Sequence, residues 1–171
     1  EHPSVAREAV ISKLPPRNNR KVYITGIGVI LPGIVGKEAF AQRLRAPAVD
    51  LNQASGRVNE QLFDGLLSAR RVRRMSDYVK LQLAAATLAC RDAGVEGNTE
   101  FLANCSAILG SMHGSSNFCE SYYQQIVREG VLAANPMLFA EGVPNAGSAH
   151  LSLMLGIKGA CQAVIGTRTV G

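Results

Sequence analysis

The chain has 171 residues, of which 47% are hydrophobic and 18% charged, a length and balance typical of one folded domain. This composition excludes a disordered protein, which would have too few apolar residues to form a core. The formal net charge of +5 favours an acidic partner without identifying it.

Four cysteines, at positions 90, 105, 119 and 161, have neither zinc-ligand spacing nor the density of a disulfide scaffold. We therefore expect reduced thiols, no metal and no cofactor. No stretch is long and apolar enough to span a bilayer, and no signal peptide is recognised. These features predict a protein of the cytoplasm or of an organelle matrix.

The N-terminal residues 1–19 are expected to form a tail or linker, because Pro15 and Pro16 oppose regular structure at its end. Residues 21–30, KVYITGIGVI, form a β-branched apolar run that predicts a buried strand. A helix is expected over 36–46, with Phe40 and Leu44 facing the core. Residues 47–69 have a mixed pattern that predicts loops.

The strongest helical pattern covers residues 76–93. Ser76 or Asp77 can cap this helix at its start, and Gly94 ends it. Its predicted buried stripe consists of Val79, Leu83, Ala86 and Cys90.

The second half of the chain continues the alternation of strands and helices. A buried strand is predicted over 105–111, a helix over 117–129 with Phe118, Tyr122 and Ile126 on one face, a helix over 145–155, and a strand over 160–167. Strands separated by helices predict an α/β architecture with a parallel or mixed sheet.

Two nucleotide-binding motifs are incomplete. Gly26 and Gly28 follow the first predicted strand, but Leu31 occupies the position where a dinucleotide fingerprint needs a third small residue. A P-loop fails because Lys37 is followed by Glu38 rather than by Ser or Thr. These glycines are better explained by a tight exit from a strand.

A basic cluster, Arg70, Arg71, Arg73 and Arg74, lies just before the strongest helix. It is either a solvated loop or a docking surface for an acidic protein or a phosphate. Nucleic acid is not expected as a partner, because aromatic residues do not interleave the cluster and no nucleic-acid module is present. The three histidines, His2, His113 and His150, are scattered and are expected to have structural roles.

The chain ends in a strand and a glycine turn, the setting in which α/β enzymes often carry a nucleophile. Arg168 stands there, and an arginine is as consistent with a surface or interface position as with a functional one. Cys161 precedes it by seven residues, and an odd separation along a strand would put the two side chains on opposite faces. Thr167 and Thr169 have no evident general base nearby in the sequence.

Four ordered segments together resemble the β-ketoacyl-ACP synthase family of condensing enzymes. They are RKVYITGIGVI at 20–30, RRMSDYVKLQLAAATLACRDAGV at 73–95, AILGSMHG at 107–114, and the stretch from Asn135 to Gly171 that contains LGIKG. The last segment is similar to the one that leads to the family's active-site cysteine. The resemblance covers about 150 residues, all but the tail.

The resemblance implies the N-terminal half of a thiolase-like fold, an α/β unit with a mixed sheet and helices packed on it that is incomplete alone. It implies a domain over 20–171 and, for the family, decarboxylative Claisen condensation by a cysteine supported by two histidines and a lysine. Aligned through LGIKG, that cysteine falls on Arg168, and an arginine is not a nucleophile. No catalytic residue is therefore assigned in this chain.

The resemblance also assigns roles to two other sets of residues. It implies that Arg70, Arg71, Arg73 and Arg74 dock acyl carrier protein. It implies that the last strand, with Cys161, Ala163 and Ile165, is an interface strand of a dimer or heteromer.

Three functions remain open from the sequence. The first is a non-catalytic ketosynthase-like partner subunit that assembles with a ketosynthase-type subunit or with itself. The second is an incomplete or variant β-ketoacyl-ACP synthase that condenses acyl-ACP with malonyl-ACP. The third is a scaffold reused as a structural subunit of a larger complex.

Overall fold

The structure is a computed structural model that describes residues 21–46, 56, 58–167 and 170. The predicted tail over 1–19, and residues 47–55 and 57 of the loop expected over 47–69, lie outside these residues. Within the described ranges, no helix has both the length and the apolar character needed to cross a membrane.

Seven α-helices and four short strands are found in the described ranges. The helices are α1 (Gly36–Arg45), α2 (Ala69–Val72), α3 (Asp77–Asp92), α4 (Thr99–Ala103), α5 (Ser116–Glu129), α6 (Pro136–Gly142) and α7 (Ala146–Leu155). The strands are β1 (Ile30–Leu31), β2 (Ile34–Val35), β3 (Ala107–Ser111) and β4 (Cys161–Ile165). Single 3-10 turns occur at Glu60–Phe63 and Val131–Ala133.

Strands β3 and β4 pair in parallel, in a register that places Ala107 beside Cys161 and Ser111 beside Ile165. A parallel pair needs a long crossover, and helices α5, α6 and α7 provide it. Helix α7 packs on both strands and on α3. The predicted α/β architecture with a parallel pair is therefore confirmed.

The core lies where α3 meets α7 and β3. Val79 and Leu83 of α3 are fully buried, and Leu151 of α7 and Ala107 of β3 pack in the same cluster. The helix predicted over 76–93 is confirmed, although Ala86 and Cys90 of its stripe are only half-buried. Burial of each large aliphatic side chain contributes about 1.5–3 kcal/mol, so this contact is a main source of stability.

The prediction of a buried strand over 21–30 is wrong. Residues 21–29 form no strand, and Val22 and Ile24 are 92% and 85% exposed. Only Ile30–Leu31 pairs, in a two-residue antiparallel ladder with β2. The segment is apolar and rich in β-branched residues, but a strand also needs a neighbour for its backbone groups, and no described segment provides one here.

The part of the segment around Gly26 and Gly28 lies against helix α3. A Cβ atom added to Gly28 would come within 1.9 Å of the Ala85 carbonyl oxygen, and one on Gly26 within 2.2 Å of the Ala89 carbonyl oxygen. Gly26 and Gly28 therefore allow the backbone to touch the helix. Both precede β1 and follow no described strand, so the predicted tight exit from a strand is wrong.

Other expectations need correction. Leu44 of α1 was expected to face the core and is 70% exposed, and Ile108 of the supposedly buried β3 is 74% exposed. Helices α5 and α7 were predicted correctly within a residue or two. Helix α6 was not predicted, although Asn135 at its N-cap accepts a 2.9 Å hydrogen bond from the Met137 amide and Pro136 opens its first turn.

Candidate functional site

The four arginines predicted as a docking surface lie together on α2 and on the link to α3. We call residues 70–74 the arginine turn. Arg70, Arg71, Arg73 and Arg74 are all exposed, and none of them forms an ion pair with another residue in the described ranges. The turn therefore presents uncompensated positive charge to solvent.

Hydrogen bonds and one buried side chain hold the backbone of the arginine turn. The Ser68 carbonyl accepts from the amides of Arg71 and Val72 at 2.9 and 3.1 Å, and the Val72 carbonyl accepts from Met75 at 3.0 Å. Val72 itself is 7% exposed and packs in the core cluster. The guanidinium groups thus project from a fixed backbone.

Ser76 joins the arginine turn to three helices. Its hydroxyl oxygen accepts a 3.3 Å hydrogen bond from the Val79 amide, which confirms Ser76 as the N-cap of α3. The same hydroxyl lies 3.2 Å from the hydroxyl of Ser115, the N-cap residue of α5. The Ser76 amide donates to Glu141 Oε2 of α6 at 3.1 Å. Ser76 is 3% exposed, so this junction is shielded from water.

Glu141 and His150 complete the junction. Glu141 is 4% exposed, and its Oε1 lies 2.6 Å from His150 Nε2 on α7. Because the carboxylate lies between the serine and the imidazole, the histidine has no hydrogen bond to Ser76 or Ser115 through which it could act as their base. The arrangement stabilises a helix N-terminus and does not form a nucleophilic triad.

His150 is expected to have a structural role, and its side chain contacts Glu141. Sequence reasoning missed Glu141 itself. The sequence does contain a sign of it, because Glu141 is the single acidic residue within the apolar run MLFAEGV. A carboxylate in such a run is costly to bury unless it has a specific partner. His113, by contrast, is exposed in the loop after β3.

A small cleft opens beside this junction. Its volume is about 190 Å³, and it is lined by residues of two helix starts, including Met75, Tyr78, Gly114 and Phe118. Pockets for drug-sized ligands usually measure about 300–1,000 Å³, so this cleft is small for an acyl substrate.

The terminal turn folds back over the end of the sheet. The Gly166 amide donates to the Ser111 carbonyl at 3.1 Å, and the Val170 amide donates to the Thr167 carbonyl at 3.1 Å. A Cβ on Gly110 would lie 2.8 Å from the Val170 carbonyl oxygen, so the glycine lets the turn approach β3. Arg168 and Thr169 lie outside the described residues.

Cys161 lies at the opposite end of β4 from the terminal turn. Strand β4 ends at Ile165, so the predicted strand parity between Cys161 and position 168 does not apply. The four-residue step from Cys161 to Ile165 spans about 13 Å at a typical rise of 3.3 Å per residue.

The four cysteines are free thiols. Burial, with smaller contributions from Cys105 and Glu96, raises the pKa of the Cys90 thiol, which keeps it protonated and unreactive. Three of the cysteines are half-buried, and Cys161 is exposed. Among the described residues, no group of side chains has the composition of a metal site.

The proposed interface strand has one open edge. Residues Cys161, Ala163 and Ile165 alternate along β4, which pairs with β3 and with no other strand in the described part of the chain. Cys161 and Ile165 are exposed and Ala163 is half-buried. The strand is shorter than the predicted 160–167, but its outer backbone groups remain available.

Comparison with known proteins identifies relatives of this fold. The family model "Beta-ketoacyl synthase, N-terminal domain" matches residues 47–167. The 3-oxoacyl-[acyl-carrier-protein] synthase 2 of Vibrio cholerae is 26% identical over 90% of this chain and 40% of its own length. The putative polyketide beta-ketoacyl synthase 1 of Streptomyces cyaneus is 29% identical over 85% of this chain and 39% of its own length. The chain thus spans about two fifths of these relatives.

Two solved structures share the fold. One is a type II PKS ketosynthase in complex with its acyl-carrier protein and bound to a hexaketide, with a TM-score of 0.64 and 19% identity over 81% of this chain and 40% of that one. The other is the ishigamide ketosynthase/chain length factor, with a TM-score of 0.61 and 20% identity over 83% of this chain and 38% of that one. These likenesses confirm the expected fold class, the N-terminal region of a thiolase-like ketosynthase.

Proposed function

The chain belongs to the β-ketoacyl synthase family, and from this premise we propose that it is a non-catalytic, ketosynthase-like partner subunit in fatty-acid or polyketide synthesis. The observation that carries the proposal is Arg168, which stands where the family resemblance places the nucleophilic cysteine. A guanidinium remains protonated at every relevant pH and cannot attack a thioester. We take residues 20–171 as one ketosynthase-like domain.

The arginine turn is proposed as the docking surface for an acyl carrier protein. Four exposed guanidinium groups without ion pairs among the described residues favour an acidic partner. A related structure with the same fold is described as a ketosynthase in complex with its acyl-carrier protein.

A ketosynthase-type subunit, or a second copy of this chain, is proposed as the partner at the open edge of β4. The unpaired backbone groups beside Cys161, Ala163 and Ile165 can form a ladder with another strand. The second related structure is described as a ketosynthase/chain length factor, which fits a partner of this kind.

An acylation assay tests the lack of catalysis. After incubation with an acyl-loaded carrier protein, we expect intact-mass spectrometry to find no covalent acyl group on the native protein, because position 168 offers no thiolate. Arg168→Cys provides the thiol and Arg168→Ala is the matched control. Acyl transfer to the unmodified protein would contradict the proposal.

The second candidate function is an active β-ketoacyl-ACP synthase of which this sequence is a part. It is favoured by the relatives named as synthases, of which the chain spans about two fifths. The intact mass of the native protein, together with the acylation assay, distinguishes the two candidate functions. A longer chain that condenses acyl-ACP with malonyl-ACP would contradict the first candidate and support the second.

A further inference from the structure

Glu141 is a carboxylate on α6 that is almost wholly removed from solvent, at 4% exposure. Its Oε2 accepts from the amide of Ser76, which lies 65 residues earlier in the chain. Burial of a carboxylate is costly unless hydrogen bonds replace its lost water. The partners of Glu141 therefore indicate what the residue does.

Glu141 completes the N-terminal cap of α3 from another helix. In a capping box, the N-cap hydroxyl accepts from the N3 amide, and a Glu or Gln at N3 bonds back to the N-cap amide. Helix α3 has the first bond, from the Val79 amide to the Ser76 hydroxyl, but its N3 residue is Val79 and cannot supply the second. The carboxylate of Glu141 does so, and its negative charge also lies at the favourable end of the helix dipole.

This cap is one of two anchors of the arginine turn. Val72, with 7% exposure, anchors one side, and Ser76 anchors the other through Glu141. Arg73 and Arg74 lie between these anchors. The orientation of their exposed guanidinium groups therefore depends on where Ser76 is held.

The second carboxylate oxygen is held by His150 of α7, at 2.6 Å, and α7 packs on strand β4. Glu141 thereby links the arginine turn to the helix that precedes the interface strand. We propose that Glu141, oriented by His150, is a positioning residue for the arginine turn, and that affinity for an acidic carrier protein depends on this buried carboxylate. The inference rests on the proposed function, in which the arginine turn docks that protein.

Two substitutions of Glu141 test the inference in the native protein. Glu141→Ala removes the acceptor for the Ser76 amide and loosens the backbone of the arginine turn. We therefore expect binding of an acidic acyl carrier protein, measured by fluorescence anisotropy, to weaken about tenfold, which corresponds to about 1.4 kcal/mol of binding free energy. Glu141→Gln keeps an oxygen acceptor, and we expect it to restore affinity to within about threefold of the native protein.

Ile126→Ala is the matched control for general loss of stability. Ile126 is half-buried near the end of α5 and takes no part in these hydrogen bonds, so its truncation should lower the unfolding temperature without changing carrier affinity. If Ile126→Ala weakened binding as much as Glu141→Ala at equal loss of stability, the inference would be overturned.

Hydrogen exchange of the amides from Ser76 to Val79 provides a readout that needs no carrier protein. We expect faster exchange in Glu141→Ala than in the native protein or in Ile126→Ala. Unchanged exchange in Glu141→Ala overturns the inference. If exchange accelerates but the native protein does not bind a carrier protein, Glu141 positions the turn as inferred and the proposed function fails.

Discussion

At the residue scale, single polar side chains fix the position of segments whose own sequence pattern does not determine it. Asp92 at the end of α3 accepts a 2.9 Å hydrogen bond from the Ile27 amide and forms an ion pair with Lys37. The hydrogen bond from Lys37, followed by that from Ile27, lowers the pKa of the Asp92 carboxyl below its ordinary value. One carboxylate thus ties the unpaired N-terminal segment and helix α1 to α3.

The lowered pKa of Asp92 predicts how this tether responds to acid. Because the pKa is lower in the folded state, the stabilisation is present above the ordinary pKa of 3.8 and is lost as the pH falls from there through the lowered value. We expect the protection factor of the Ile27 amide, which is its intrinsic exchange rate divided by the observed rate, to fall over that range, as followed by NMR. Asp92→Asn should abolish this pH dependence, and an identical acid response in that variant would contradict the assignment.

At the element scale, α3 is the helix on which the other parts of the structure assemble. The N-terminal segment lies on one side of it, α7 packs on another, and the arginine turn precedes it. Its amphipathic pattern and its cap are both local features, which is why its start and end were predicted almost to the residue. Helix α1 has the same kind of pattern but exposes Leu44.

A leucine-to-alanine substitution in each of these two helices measures how much the buried and the exposed leucine contribute to stability. Leu83→Ala in α3 removes a side chain with 0% exposure and should lower the free energy of unfolding by about 2–5 kcal/mol. Leu44→Ala in α1 truncates a side chain that is 70% exposed and should change it by about 0.5 kcal/mol or less. Urea denaturation followed by circular dichroism measures the free energy of unfolding of both variants. Equal decreases in the two variants would mean that Leu44 is buried as the sequence pattern predicted.

At the scale of the whole molecule, apolar surface is left uncovered around a two-stranded sheet. Ile108 of β3 and Val164 and Ile165 of β4 are 74%, 44% and 52% exposed. Exposed apolar side chains beside an open strand edge favour association with another chain. This surface supports the proposal of a partner subunit at β4.

Ile165→Lys tests this association. A lysine on an edge strand opposes strand pairing, so we expect the variant to show a smaller apparent mass than the native protein in size-exclusion chromatography. Leu44→Lys places the same charge on the exposed face of α1 and should leave the apparent mass unchanged. An unchanged mass in both variants would exclude β4 as the interface.

The sequence by itself determined the features that depend on residues close together in the chain. The cap and stripe of α3, the extents of α5 and α7, and the ordered segments that resemble ketosynthases can all be identified without coordinates. The arginine cluster was found in the same way, since its members lie within five consecutive positions. Its role in docking stays a prediction.

Only the tertiary structure decided what depends on distant partners. Residues 21–29 have the composition of a strand but form none, because a strand requires a neighbour that its own sequence cannot supply. The part of this segment around Gly26 and Gly28 lies close against α3. Glu141 gained its role from Ser76, which is 65 residues away, and from His150 on another helix. A hydrogen bond to a carboxylate is stronger when it is buried. The local sequence does not indicate which amide will donate to that carboxylate.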